Sequence, residues 1–480
     1  MSVKKLQKSC MVALALYLAL AAAFFLIAGD QLHYRDRQTD MLSGSAVVGE
    51  ITADTVVTQS IRPQGDRLTG LTLYAATYGR QNTGTLRIEL YGDGGVLAAR
   101  DVDVSTLADN STFFIPFDVE LSGGELQMRL TAPESTVENA VTLYYGDTRS
   151  AARAQVKVDL RPDELVRVND AALDGALCLQ VHSQDRLWFG MYYWYFVAAG
   201  FVLLGGYCLL LVRKNRQGKS TLVLKVISAF SRYRYLMKQL VARDFKTKYK
   251  RSVLGVLWSF LNPLLTMLVQ YIVFSTLFRS DIPNFSVYLL TGIVCFNFFS
   301  EATSMALTSI VGNASLITKV YVPKYIYPLT RVISSTINFL LALVPLLAVL
   351  LVTRTPIRPA ILLMPVGILC LFAVCLGIGM ILASAMVFFR DTQFLWGVLS
   401  MLWMYATPIF YPESIIPASV MPLYKCNPLY HVIRFIRILL IDGVSPEPKA
   451  YALMLLTAFA PLILGALVFK KTQDRFMLHI

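Results

Sequence analysis

Arg243-Asp244-Phe245-Lys246-Thr247-Lys248-Tyr249-Lys250-Arg251-Ser252-Val253-Leu254-Gly255-Val256-Leu257-Trp258-Ser259-Phe260-Leu261-Asn262-Pro263 runs from a densely basic segment straight into an apolar one. Read as a helix, Met237, Val241, Phe245, Tyr249 and Val253 recur every fourth residue and form an apolar stripe, with Arg243, Lys246 and Lys250 on another side. A helix of this kind lies in the headgroup plane of a bilayer, its cations toward lipid phosphates. The stretch therefore predicts a protein working at the inner face of a membrane.

Composition agrees. Of 480 residues 55% are hydrophobic and only 16% charged, the balance of a polytopic membrane protein. The net charge of +13 suggests nucleic acid until it is divided along the chain. Residues 30–187 carry −9, whereas residues 213–251 hold thirteen Lys or Arg against Asp244 alone. Basic flanks mark the cytoplasmic side, so 213–251 is expected inside and the acidic 30–187 block outside. Nucleic acid drops out as a partner. Five of the seven cysteines fall in apolar spans, leaving Cys178 and Cys426 as the plausible outside thiols and no disulfide framework.

Outward from this stretch the chain reads as eight spans. Residues 10–28 form an uncleaved anchor after a Lys-rich start, within a first segment 1–29, and 188–212 form a second span entered through Trp188, Phe189, Tyr192, Tyr193, Trp194 and Tyr195. After the basic linker and interface helix at 213–253, six more are expected within 254–480, at 254–278, 287–312, 326–352, 360–388, 394–411 and 450–469. Both termini then lie inside. Between the first two spans the period shortens to two: Phe113, Ile115, Phe117 and Val119 alternate with Thr112, Phe114, Pro116 and Asp118, and Leu86-Ile88-Leu90 and Leu126-Met128-Leu130 repeat the pattern. The fold class expected is an α-helical polytopic membrane protein with an inserted extracytoplasmic all-β sandwich over residues 30–187. From Ala406 to Asp442 apolar pieces too short to cross are broken by Pro408, Pro412, Pro417, Pro422 and Pro428, which predicts paired re-entrant segments around 412–442.

Other motifs carry less. Gly218-Lys219-Ser220-Thr221 lacks the first glycine of a phosphate-binding loop, because Arg213 stands there, so any ATP-driven work needs a second polypeptide. Asp101-Val102-Asp103 reads as a solvated strand, and His33, His182, His431 and His479 are too scattered for a metal cage or a nucleophile triad. No catalytic or metal-binding residue is expected. Glu301 is a carboxylate within an expected span: it either meets substrate or is paired near an interface or a water-filled passage. Phe296, Phe298, Phe299, Trp403, Tyr405, Phe410 and Tyr411 are candidates for a pathway lining, with ordinary helix packing as the alternative.

Arg243-Asp244-Phe245-Lys246, Tyr249 to Trp258 and Asn262-Pro263 together resemble the opening signature of the permease subunits of polysaccharide ABC exporters, the type-2 permeases that move O-antigen and teichoic-acid chains. Leu316 to Lys324, Phe388-Phe389-Arg390-Asp391, Thr407 to Pro412 and Asn427-Pro428-Leu429 continue the likeness, which covers about residues 228–480. The resemblance implies a homodimer of six-span cores paired with two ATP-binding subunits that hold ATP and magnesium, this chain carrying no cofactor. It implies a polymer on a polyprenyl-pyrophosphate anchor moving from the inner to the outer leaflet of the bacterial inner membrane. By position, Arg243, Lys246, Lys248, Lys250 and Arg251 fall on the helix expected to meet the pyrophosphate. Lys319, Tyr321, Lys324, Arg390 and Asp391 fall on segments docking the ATPase, and 412–442 on the outer gate. The two additional spans and the β-sandwich depart from the family's six-span form, and the sandwich is expected either to bind emerging glycan through Tyr74, Tyr78, Tyr91, Phe114 or Tyr145, or to act as a spacer or docking module. The rival readings are a permease for a small drug or lipid, and a membrane-anchored glycan receptor.

Overall fold

The computed structural model describes residues 3–92, 94–121, 124–147, 165–217, 221–249, 255–278, 284–320, 322–417 and 419–479. The chain divides into two compact units, Met1–Gln31 with Trp194–Ile480, and Leu32–Tyr193.

The first unit is helical. Its longer helices are α1 (Val3–Ala28), α2 (Tyr193–Arg216), α3 (Leu222–Tyr249), α4 (Trp258–Phe278) and α5 (Phe285–Leu307). They continue as α6 (Ile326–Val352), α7 (Met364–Phe388), α8 (Thr392–Tyr405), α9 (Pro428–Arg437) and α10 (Pro448–Thr472). Among the described residues six helical segments are long and apolar enough to cross a membrane: Leu6–Ala28, Tyr193–Arg216, Phe285–Leu307, Ile326–Val352, Pro359–Phe388 and Pro448–Leu478. The apolar part of α4 is shorter, Phe260–Phe274.

The span expected at 394–411 is corrected. α8 has 14 residues, roughly 21 Å at about 1.5 Å per residue, against a hydrocarbon core of about 30 Å. It stops because Thr407 precedes Pro408, and the residue before a proline is pushed out of the helical region. α7 and α10 lie so close that a Cβ on Gly465 would stand 2.1 Å from the carbonyl oxygen of Gly377. Small residues permit this backbone approach, the usual means of packing helices in lipid.

α3 is more embedded than an interfacial helix needs to be. Met237 and Leu240 are buried with Tyr233 and Leu236 against Ile310, Ile326, Tyr327, Ala383 and Val387. The core-facing stripe is therefore centred on Met237 and Leu240, while Leu236, and Val241 and Phe245 of the expected stripe, are only partly buried.

The second unit holds thirteen described strands: β1 (Tyr34–Gln38), β2 (Ala46–Val47), β3 (Val56–Ile61), β4 (Arg67–Ala76), β5 (Thr85–Gly92), β6 (Gly95–Asp103) and β7 (Ser111–Glu120). The rest are β8 (Leu126–Thr131), β9 (Thr142–Asp147), β10 (Arg167–Val168), β11 (Ala171–Ala172), β12 (Gly175–Leu177) and β13 (Leu179–Arg186). One sheet runs β1-β13-β4-β9-β12 with β7 on β4 and β2 on β9; the other runs β11-β10-β3-β8-β5-β6. All pairings are antiparallel, and the inner faces share a core in which Leu71, Leu73 and Ile115 meet Leu86, Ile88 and Met128. β7 buries Ile115, Phe117 and Val119 and exposes Phe114, Pro116 and Asp118, as its period of two requires.

Candidate functional site: a polar cavity under the basic helix

α5 is apolar in composition but not on every face. Asn297, Ser300, Glu301 and Ser304 are spaced three, four and seven residues apart and so share one side of the helix. Asn297 and Ser304 are its exposed residues there, flanked by buried Phe298, Phe299, Ala302 and Thr303. Facing this stripe are Trp258 and Asn262 of α4, Asn338 of α6 and Lys248 from the last turn of α3, enclosing a cavity of about 520 Å³. Glu301 is the electrostatic centre. Its Oε1 accepts from Lys248 Nζ at 2.7 Å and from Asn338 Nδ2 at 2.8 Å. The carboxylate expected in a span is therefore paired, with the cation brought in by the basic helix.

A second, smaller cavity adjoins it, sharing Lys248 and Asn338 and walled by Asp244, Phe245, Thr247, Met305 and Ser334. Asp244, whose side chain is only 5% exposed, takes Arg331 Nη1 at 2.8 Å and the Ser334 hydroxyl at 3.2 Å. Arg243 bonds Asp244 at 3.4 Å and Asn313 Oδ1 at 3.2 Å. Arg243 is thus partly committed to structure, whereas Lys246 is exposed. Lys250 and Arg251, expected on the same helix, lie outside the described residues. Sequence reasoning passed over Asp244, Asn262, Asn297 and Asn338. The signals were present: one carboxylate among thirteen cations, seven residues after Met237 on the core-facing stripe, and a four-residue polar stripe in an apolar helix.

The expected docking residues separate. Lys319, Arg390 and Asp391 are exposed. Lys324 instead donates to the Gln473 carbonyl at 2.6 Å and lies 5.8 Å from the Phe476 ring, holding the segment to the C-terminal turn. Tyr321 lies outside the described residues.

The aromatic candidates also divide. Phe296, Phe298, Phe299 and Phe410 are buried; Phe298 stacks obliquely on Phe339 at 4.8 Å, Phe299 touches Trp396 and Trp403, and Phe410 stacks on Phe274 at 5.2 Å. Tyr405 is exposed. Trp403 donates to Asn427 Oδ1 at 2.9 Å, and Tyr411 meets the Tyr424 hydroxyl at 3.1 Å. In the sandwich Tyr78 and Phe114 are exposed, while Tyr74 stacks on Tyr144 at 4.4 Å.

The described residues of 406–443, where re-entrant segments are expected, form a tied knot. Asn427 caps α9 through Leu429 N, with Pro428 in the first turn, and Gly443 at φ 66° closes the π-helical turn Ile438–Asp442 that follows α9. Buried Arg437 then donates to the carbonyls of Pro408 at 2.7 Å, Ile409 at 3.1 Å and Tyr288 at 3.1 Å, beneath the Tyr288 ring. Gly292 leaves it room, since a Cβ there would meet Arg437 Nη2 at 2.9 Å.

The profile of the ABC-2 type transporter family matches residues 235–441, from within the basic helix through the cavity into the knot. An O-antigen export system permease protein, RfbA, of Klebsiella pneumoniae is 32% identical over 248 residues, half of this chain and 95% of that protein. The chain belongs to the ABC-2 type permeases of polysaccharide exporters. The Myxococcus xanthus RfbA permease is likewise 32% identical, over 53% of this chain and 98% of its own length, and the polysialic acid transport protein KpsM of Escherichia coli is 22% identical over 52% and 98%. The permease is thus a multi-pass inner-membrane transport subunit, not an enzyme. The family profile begins 42 residues after the end of the β unit at Tyr193.

Proposed function

We propose that this permease exports a polysaccharide carried on polyprenyl pyrophosphate from the inner to the outer leaflet, driven by ATP hydrolysis in a separate subunit. The observation that carries the reading is α3, a basic helix that carries the exposed Lys246 and brings Lys248 to the wall of a polar cavity lodged among apolar helices. A pyrophosphate bears two or more negative charges, and Lys or Arg at the headgroup plane suits it. The names of the relatives supply the polymer. Two permeases pair with two ATP-binding subunits, which hold ATP and magnesium and dock on the exposed segments around Lys319 and Arg390-Asp391. Residues 412–442 gate the outer end, the sandwich lies outside, and both chain termini lie inside.

The reading predicts that deleting the gene removes surface polysaccharide and makes lipid-linked polymer accumulate inside the cell. Unchanged surface glycan with no internal accumulation would overturn it. Lys246→Gln with Lys250→Gln and Arg251→Gln should lower export at least tenfold while the complex with the ATPase still purifies; normal export would remove the pyrophosphate role from these cations.

A further inference from the structure

The cavity is chemically unlike the surfaces around it. Elsewhere in the helical unit the exposed residues of α1, α8 and α10 include Leu16, Leu20, Phe394, Leu402, Ile463 and Leu467, which suit lipid. On the cavity wall the open positions are instead amides and hydroxyls, Asn262, Asn297 and Ser304, with Trp258 46% exposed beside them. At 520 Å³ the space falls within the range of about 300–1,000 Å³ typical of small-ligand pockets, and its wall sets apolar Trp258, Pro263, Phe298 and Phe339 beside amides and hydroxyls, a mixture that suits a ring with an apolar face and a hydroxylated edge.

We propose that this cavity binds the sugar directly joined to the pyrophosphate, with Trp258 as the apolar platform and Asn262, Asn297, Ser300 and Glu301 as hydrogen-bonding partners. Amides offer donor and acceptor together, which is what a ring of vicinal hydroxyls requires. Glu301 can accept a hydrogen bond from a sugar hydroxyl because both of its described partners use Oε1, leaving Oε2. Its charge is balanced by Lys248, so a neutral sugar meets no net field. The exposed Lys246 of α3 then sets the order of the ligand: the anionic end lies toward α3 and the sugar toward α4 and α5. The proposal rests on the reading of a pyrophosphate-linked glycan as cargo, and it adds that the permease reads the first sugar as well as the charge.

The test uses the full permease with its ATP-binding subunit in lipid nanodiscs and two labelled carriers, polyprenyl pyrophosphate bearing one hexose and the bare polyprenyl pyrophosphate. Fluorescence anisotropy gives the affinity for each. Asn297→Leu and Trp258→Ala, neither of which removes the Lys248–Glu301 pair, should each weaken the sugar-bearing carrier about tenfold, the loss of one or two hydrogen bonds or of a stacking face. The bare carrier should change less than about twofold, on the same scale. Equal weakening of both carriers, or none of either, would overturn the sugar site while leaving the exporter reading in place. Failure of the unaltered complex to bind either carrier would instead overturn the exporter reading.

Discussion

Asp244 and Arg437 show how much depends on single charged side chains when the surroundings are apolar. Asp244 is nearly buried against Arg331 and Ser334. Removing one member of such a pair strands the other, at a cost of roughly 2–4 kcal/mol where one side is partly hydrated. Asp244→Ala should therefore lower the thermal midpoint of the purified permease and the amount recovered from the membrane, and Asp244→Ala with Arg331→Met should recover part of both. His182, in the β unit, predicts a pH effect. Its Nε2 lies 2.8 Å from the Thr72 hydroxyl and the Phe114 ring is edge-on at 5.2 Å; burial lowers its pKa below the ordinary 6.5, and Asp36 opposes this. The unfolded chain takes the proton first, so β-unit stability should fall as pH drops below about 6.5 and level off once the folded imidazole is protonated too. Hydrogen exchange along β4 and β13 should show the decline, and His182→Gln should flatten it.

The close crossing of α7 and α10 makes its own prediction for the elements. With Gly377 and Gly465 in backbone contact, Gly465→Val must force the helices apart, and the assembled permease should fall several-fold in a detergent-extraction assay. Exposed Gly397 of α8 has open space around it, and Gly397→Val should cost far less. Elements also show where sequence reasoning succeeds. The period of two in β7 and the long apolar runs of α5, α6 and α7 are local properties, and each is visible without knowing what packs against them. α8 was misread as a span because its residues are apolar enough; only length and Pro408 distinguish it. The partners of Glu301 were not legible, because Lys248 and Asn338 are 53 and 37 residues away and nothing local signals the pairing. Arg437 was not legible as a structural residue either, because the carbonyls it meets belong to Pro408, Ile409 and Tyr288, far from it in the chain.

For the whole molecule, the two thiols outside the expected spans test the topology. Cys426 is exposed, whereas Cys178 is fully buried in the β unit and burial pushes its pKa up to about 11. Little thiolate is then present near neutrality, and access is closed as well. A membrane-impermeant maleimide added to spheroplasts should label Cys426 rapidly and Cys178 only after denaturation. Labelling of Cys426 only after the inner membrane is opened would reverse the orientation assigned to residues 412–442.

The Arg437 knot also constrains the order in which the protein is built. A guanidinium whose described partners are the carbonyls of Pro408, Ile409 and Tyr288 has no stable place in lipid before those carbonyls are there. Two of them are supplied by the segment just after α8, but the third belongs to α5, made roughly 150 residues earlier. Burial of Arg437 is therefore conditional on a helix made earlier in the chain, and the 406–443 segment can reach its final packing only against an α5 already in place.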